Sequence, residues 1–232
     1  MKTPPVSYKT AHVNGFKVFY REAGDAKAPT VLLLHGFPTS SHMFRNLIPE
    51  LAGDYHIVAP DLPGFGFSDL PDHKSFAYTF DHLAEIIGEF TQGLGLGEFA
   101  IYVFDYGAPV GFRLMLKYPD KIRAIISQNG NAYEEGLSDG WAPIRTYWED
   151  PSQKNREALR SLCTEEMTRL QYTHGVENAR AASHLRPSHL IKRCSIDRRA
   201  RKSSSISSAT TRATWRSIRS FRNTSALTVV RL

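Results

Sequence analysis

The sequence predicts an α/β domain built on a doubly wound, mostly parallel sheet, with a helical lid inserted in it. Strand-like and helix-like patterns alternate through the first 130 residues, and the connections between them are short. The strand patterns are continuous apolar runs, which are typical of strands buried on both faces. Such alternation favours right-handed crossovers and places ligands at the carboxyl ends of the strands.

The predicted elements begin with an antiparallel edge. Residues 6–22 alternate in polarity around Asn14-Gly15, which is a strong hairpin signal. The elements that follow are strands at 28–34, 55–59, 98–104 and 121–128, and helices at 43–51, 80–93 and 110–117. Ser40 or Ser41 can cap the first of these helices.

The sharpest local feature is the corner that follows the apolar run 98–104. The run stops at Asp105, small residues follow at Gly107 and Ala108, and a helical pattern begins at once. A side chain at such a turn stands exposed at the end of a central strand, beside a helix N-terminus. Asp105 is therefore a candidate nucleophile, and the alternative from the residues alone is that it caps the helix.

Two changes in pattern divide the chain into three parts. Residues 1–130 form the predicted core. Residues 131–172 are helical, aromatic and interrupted by Pro143 and Pro151, as expected of an inserted lid. We expect the aromatic residues of the lid to pack inside it rather than against a substrate. Residues 173–232 form a basic tail rich in Ser and Arg.

The tail differs in charge from the rest of the chain. Residues 1–177 carry 16 Lys and Arg against 22 Asp and Glu, whereas residues 178–232 carry 13 basic residues and one acid. The tail is a nucleic-acid-binding arm, a disordered extension, or a segment translated out of frame. We favour the third hypothesis because it explains the abrupt change. The scarcity of aromatic stacking partners argues against nucleic acid as a partner.

Other parts of the composition narrow the class of protein. Cys163 and Cys194 lie far apart without a CxxC pair, so the sequence predicts no disulfide framework and no metal site, and it carries no cofactor motif. The chain has no apolar stretch of membrane-spanning length, and its first residues lack the apolar segment of a signal peptide. We expect a cytoplasmic protein that binds a small molecule and no membrane.

Three motifs in the same chain resemble the α/β-hydrolase superfamily. They are His35-Gly36-Phe37-Pro38, the loop that runs from Asp61 to Asp69, and Phe104-Asp105-Tyr106-Gly107, and the resemblance covers about residues 10–172. An Asp at the position of the usual Ser makes the chain similar to the epoxide hydrolase and haloalkane dehalogenase branch. The His-Gly-Phe-Pro form looks more like the epoxide hydrolases.

This resemblance implies a role for five residues. Asp105 would attack an epoxide or a related small electrophile and form an ester, while the backbone N–H groups of Phe37 and Tyr106 would form the oxyanion hole. His35 and Asp61 would structure their loops. A lid tyrosine would protonate the epoxide oxygen; the candidates are Tyr133, Tyr147 and Tyr172. The alternatives are a haloalkane dehalogenase and a non-enzymatic protein whose tail binds nucleic acid.

The tail departs from the pattern that the resemblance implies. A hydrolase of this type needs further strands, an acid and a Gly-His loop after the lid, and the tail shows neither the strands nor that context. His174, His184 and His189 stand elsewhere, so we assign none of them as the base. We expect an incomplete sheet with an exposed edge, and an ester that turns over poorly.

Overall fold

The computed structural model describes residues 4–72, 74–175 and 228–231, and it has the predicted fold class. Seven strands form one sheet in the order β1-β2-β4-β3-β5-β6-β7. The strands are β1 (Ser7–Val13), β2 (Phe16–Ala23), β3 (Thr30–Leu34), β4 (His56–Pro60), β5 (Phe99–Phe104), β6 (Ile122–Gln128) and β7 (Thr228–Arg231). Strands β1 and β2 are antiparallel, β2 pairs antiparallel with β4, and the remaining pairs are parallel.

The hairpin prediction is confirmed. Strands β1 and β2 pair in register from Ser7 opposite Glu22 to Val13 opposite Phe16, and the turn lies at Asn14 and Gly15. Both turn residues have positive φ, at 49° and 83°, as a turn that matches the twist of the strands requires. The hairpin therefore forms one edge of the sheet.

Apolar side chains cover both faces of the parallel strands. Along β3, Leu32 and Leu34 pack against one face, and Val31 and Leu33 pack against the other. The first face carries helices α2 (Phe80–Gly93) and α3 (Gly107–Lys117), and the second carries the residues around Phe44 and Ile48. Strand β5 lies between β3 and β6, so its carboxyl end lies near the middle of the row formed by the carboxyl ends of the parallel strands.

The first predicted helix is broken into two pieces. A 3₁₀ turn at Ser41–Phe44 is capped by Ser40, and helix α1 spans only Leu47–Leu51. Pro49 explains the break. A proline lacks the N–H for an internal helix bond and clashes with the preceding turn, so it is tolerated only near a helix start. The helix restarts at Leu47, and Pro49 then falls in its first turn.

The segment after β6 consists of short helices. Helices α4 (Ala142–Glu149), α5 (Gln153–Ala158) and α6 (Glu165–Thr173) are joined by 3₁₀ turns. Most of their residues are exposed or half-buried, and Tyr147 is their one buried residue within the described chain. We call residues 131–175 the cap segment. Its separation from the core at residue 130 stays a prediction.

The expectation that the tail supplies no strand is wrong in one place. Strand β7 pairs in parallel with β6, from Ala124 opposite Thr228 to Ser127 opposite Arg231, and covers the edge that was expected to be exposed. The signal was hard to find because a run of four residues is too short to show a period. The rest of the tail prediction, including the reading-frame hypothesis, lies outside the described residues. Within the described ranges, no helix has the length and apolarity needed to cross a membrane.

Candidate active site

The strand-to-helix corner at Asp105 is as sharp as the sequence predicts. Strand β5 ends at Phe104, helix α3 starts at Gly107, and Asp105 between them has φ of 49°. A residue other than glycine seldom adopts this left-handed conformation, and such strain clusters at functional sites. The corner thus holds one carboxylate in a fixed position at the end of the central strand.

Two glycines make room for this corner. A Cβ added to Gly107 would lie 2.2 Å from the backbone oxygen of Leu34, and one added to Gly36 would lie 2.3 Å from the Cβ of Asp105. No side chain fits at either distance, because real Cβ contacts are longer by about an ångström or more. The loop after β3 therefore closes directly onto the carboxylate.

Two backbone N–H groups hold the carboxylate of Asp105. The amides of Phe37 and Tyr106 both donate to Oδ1, each at 2.7 Å. Burial raises the pKa of Asp105, and these two hydrogen bonds oppose the rise because they favour the charged form. The residues predicted as an oxyanion hole thus converge on one oxygen of the predicted nucleophile.

His35 and Asp61 lie beneath this loop and out of contact with the cavity. His35 is fully buried; its Nε2 accepts the N–H of Leu62 at 2.9 Å, so its Nδ1 carries the proton that faces the Gly36 oxygen at 3.0 Å. Burial lowers the pKa of His35, which agrees with a neutral ring. The carboxylate of Asp61 accepts the N–H groups of Ser41 at 2.7 Å and Phe67 at 2.9 Å. Both residues tie neighbouring loops together.

Aromatic rings surround the side chain of Tyr106. Its ring centroid lies 5.8 Å from that of Phe37, 5.3 Å from Phe80 and 6.3 Å from Phe65. Burial raises the pKa of the Tyr106 hydroxyl, and the charge of Asp105 adds to the shift. These contacts fix the backbone of Tyr106, which carries one of the two donors.

A cavity of about 500 Å³ opens above the corner, between the core and the cap segment. The core contributes Phe37, Asp105, Tyr106 and Asn129, and the cap segment contributes Trp141, Tyr147 and Trp148. Most of the lining is apolar, which suits a small organic molecule. The described residues contain no cluster of His, Cys, Asp or Glu that could hold a metal ion.

The structure separates the three candidate tyrosines of the lid. Tyr147 is buried and lines the cavity. Tyr133 packs against the buried residues on the face of the sheet that carries helices α2 and α3. Tyr172 is absent from the cavity lining. The expectation that the lid tryptophans pack only inside the lid is wrong, because Trp141 and Trp148 both line the cavity. Short helices leave the cap segment too thin to bury such large rings.

Sequence reasoning missed several polar groups of the cavity. Arg113 lines it while its Nε donates to Asp81 at 2.6 Å, and Cys163 reaches it from the cap segment. The Nδ2 atom of Asn131 is buried and has no hydrogen-bond partner among the described residues. The position of Arg113 was a usable signal, because it lies one turn after Pro109 and therefore on the same face of helix α3, which begins next to Asp105. None existed for Cys163 or Asn131, whose positions depend on how the cap segment folds.

Curated relatives match only part of this chain. An uncharacterized hydrolase of Saccharomyces cerevisiae is 62% identical over 136 residues, which are 58% of this chain and 46% of the yeast protein. A haloalkane dehalogenase of Bradyrhizobium diazoefficiens is 38% identical over 120 residues, 52% of this chain and 38% of that enzyme. The chain thus spans less than half the length of these relatives.

Solved structures share the fold. A protein of Pseudomonas aeruginosa that is provisionally named an epoxide hydrolase has a TM-score of 0.72 and 23% identity, with 94% of this chain and 74% of that chain covered. A haloalkane dehalogenase of Bradyrhizobium elkani has a TM-score of 0.65 and 21% identity, with 98% and 90% covered. At these identities the likeness concerns the fold alone.

The family model described as the alpha/beta hydrolase fold matches residues 29–221, which is most of the chain. The match includes the three strand ends that carry His35, Asp61 and Asp105. With the sheet order, the sharp corner after β5 and the flanking helices in agreement, the chain belongs to the alpha/beta hydrolase family.

Proposed function

We propose that this chain acts on epoxides or related small electrophiles through an ester formed on Asp105. One observation carries the proposal: both backbone donors of the corner bind Oδ1 of Asp105, and Oδ2 makes no hydrogen bond within the described residues. The carboxylate is thus held by one oxygen in a cavity suited to an organic substrate, which leaves the other oxygen to react.

The two halves of the reaction use the two oxygens differently. Oδ2 attacks an epoxide carbon, a C–O bond of the ring breaks, and the released oxygen takes a proton. The ester carbonyl oxygen is then Oδ1. When water attacks the ester, negative charge develops on Oδ1, where the N–H groups of Phe37 and Tyr106 already lie at 2.7 Å. Donors fixed in advance in this way stabilise the transition state.

Tyr147 is the preferred proton donor for the epoxide oxygen. Of the three lid tyrosines it is the one that lines the cavity. The guanidinium of Arg156 donates to the Tyr147 hydroxyl at 3.4 Å, which occupies an acceptor site of that oxygen and leaves its own proton to be donated. Tyr147 therefore combines access to the substrate with the required hydrogen-bond polarity.

A haloalkane dehalogenase is the second candidate. The curated relatives that carry this name favour it, at 38% and 37% identity over their matched segments. The side chain of Phe37, which lines the cavity beside Asp105, favours epoxides because it offers no donor to a halide ion. A Tyr147→Phe variant separates the two: it should slow ester formation from an epoxide about 100-fold or more, and leave ester formation from an alkyl halide unchanged.

Release of the ester requires a base that activates water. No histidine lines the cavity within the described residues, and the described His174 is exposed. His184 and His189 lie outside the described residues. We therefore expect the ester to accumulate faster than it is hydrolysed. The nucleic-acid-binding alternative depends on the tail, which lies almost entirely outside the described residues.

The test is intact-protein mass spectrometry after incubation with an epoxide. The full chain should gain the mass of one substrate molecule, and Asp105→Asn should gain none. Asn is a suitable control because its side-chain oxygen still accepts both N–H groups and it tolerates positive φ. Equal labelling of the two proteins, or no labelling of either by epoxides and alkyl halides, would overturn the proposal.

A further inference from the structure

Among the described residues, the lining of the cavity offers a substrate almost no charge. Apart from Asp105, its only charged lining residue among those described is Arg113, whose Nε binds Asp81 at 2.6 Å. Eight of the lining side chains are aromatic: Phe37, Phe80, Phe104, Tyr106, Phe112, Trp141, Tyr147 and Trp148. An uncharged substrate with a sizeable apolar group fits such a lining.

The two tryptophans form one continuous surface. Their ring centroids lie 6.1 Å apart with the planes inclined at 43°. A substrate ring needs about 7 Å to be sandwiched between two parallel rings, so this spacing excludes a slot between them. The pair instead presents a broad, inclined aromatic face from the cap segment.

A second aromatic surface lies on the core side, next to the nucleophile. The rings of Phe37 and Tyr106 are 5.8 Å apart and inclined at 32°, and Phe80 meets Tyr106 edge-on at 5.3 Å. The two surfaces belong to different parts of the chain. Asp105 lies in the core beside the second surface, and Trp141 and Trp148 line the same cavity from the cap segment.

We propose that this chain selects electrophiles that carry an aryl group, whose ring packs on the Trp141 and Trp148 surface while Asp105 attacks the electrophilic carbon. This inference rests on the proposed function. The bond formed joins Oδ2 to that carbon, the bond broken is the ring C–O bond, and the freed oxygen takes its proton from Tyr147. Aromatic rings prefer offset or edge-on contacts with one another, which a saturated ring of equal size cannot make.

A matched pair of epoxides tests the selectivity. In benzyl oxirane and cyclohexylmethyl oxirane a methylene separates the ring from the epoxide, so the intrinsic reactivity of the two is similar. The measured quantity is the rate constant for labelling of Asp105, followed by mass spectrometry on the full chain. We expect benzyl oxirane to react about threefold to tenfold faster, which is the factor that one aromatic contact in place of a saturated one predicts.

Substitutions of single residues then test whether the two tryptophans cause the selectivity. Trp141→Leu and Trp148→Leu should each lower the ratio of the two rate constants towards one. Tyr8→Leu, which alters an exposed aromatic residue of the hairpin edge, should leave the ratio unchanged. A ratio lowered equally by Tyr8→Leu would contradict the assignment to the tryptophans.

The ratio of the two labelling rate constants is measured on the wild-type protein, so this test of selectivity does not depend on the stability of a variant. Equal rates for the two epoxides would overturn the inference and leave the proposed function standing. Labelling by neither epoxide, nor by alkyl halides, would overturn the proposed function itself. Faster reaction of the cyclohexylmethyl compound would contradict the inference directly.

Discussion

The corner at Asp105 and the cap segment build the same cavity in different ways. At the corner, buried polar groups are held by backbone hydrogen bonds; Asp61 is 1% exposed and His35 is fully buried. In the cap segment, short helices are mostly exposed, and Tyr147 is the one buried residue of α4, α5 and α6. The difference suggests that the loops at the carboxyl ends of the strands fix the chemistry and that the cap segment sets substrate choice.

The largest expected effect comes from closing the space beneath the nucleophile. A Cβ at Gly36 would lie 2.5 Å from Oδ1 of Asp105 and would push the carboxylate off its two donors. Gly36→Ala should slow ester formation by about 100-fold or more. Gly93→Ala, whose Cβ would meet nothing within 4 Å, is the matched control and should react like wild type. Equal rates for Gly36→Ala and wild type would show that the corner is not rigid.

The second prediction concerns the loop brace at Asp61. Asp61→Asn replaces one accepting oxygen by an NH₂ group that faces the N–H of Ser41 or Phe67. We expect the free energy of unfolding to fall by about 3 kcal/mol, measured by chemical denaturation. Asp25→Asn alters an exposed turn whose carboxylate accepts the N–H of Lys27, and should change it by less than about 0.5 kcal/mol. Similar losses of unfolding free energy in the two variants would show that the hydrogen bonds of Asp61 stabilise the fold no more than those of an exposed turn.

A third pair of substitutions compares helix caps in the two regions. Thr79 caps α2 by accepting the N–H of His82, and Thr164 caps α6 by accepting that of Met167, both at 3.1 Å. Thr79→Ala should lower the global free energy of unfolding by about 1 kcal/mol. Thr164→Ala should speed amide hydrogen exchange in α6 alone. A global loss from Thr164→Ala would show that the cap segment unfolds together with the core.

The smallest expected effect is a pH dependence at Asp105. Burial raises its pKa above the unfolded value, so the folded protein holds this proton to higher pH than the unfolded chain does. Its contribution to stability therefore falls as the pH rises through the window between the two pKa values. Asp105→Asn lacks this titration. Its gain in stability over wild type should grow with pH through that window, and a gain that shrinks would contradict the raised pKa.

Much of the core could be predicted because its signals are local. The Asn14-Gly15 turn, the continuous apolar strands and the small residues after Asp105 each act through neighbouring atoms, and the strand ends follow from the sheet. The prediction of one helix at 43–51 did not take Pro49 into account, and it was therefore longer than the helix that the structure shows. The sequence could not predict which side chains of the cap segment line the cavity, because the directions in which Trp141 and Tyr147 point depend on packing between short helices.

The most direct test of the central claim is to locate the adduct after reaction of the full chain with benzyl oxirane. Proteolysis and fragment mass spectrometry assign the added mass to one residue. We expect an ester on Asp105, in a peptide that is unmodified in the Asp105→Asn protein. An adduct on Cys163, the thiol that also lines the cavity, with Asp105 unmodified, would contradict it.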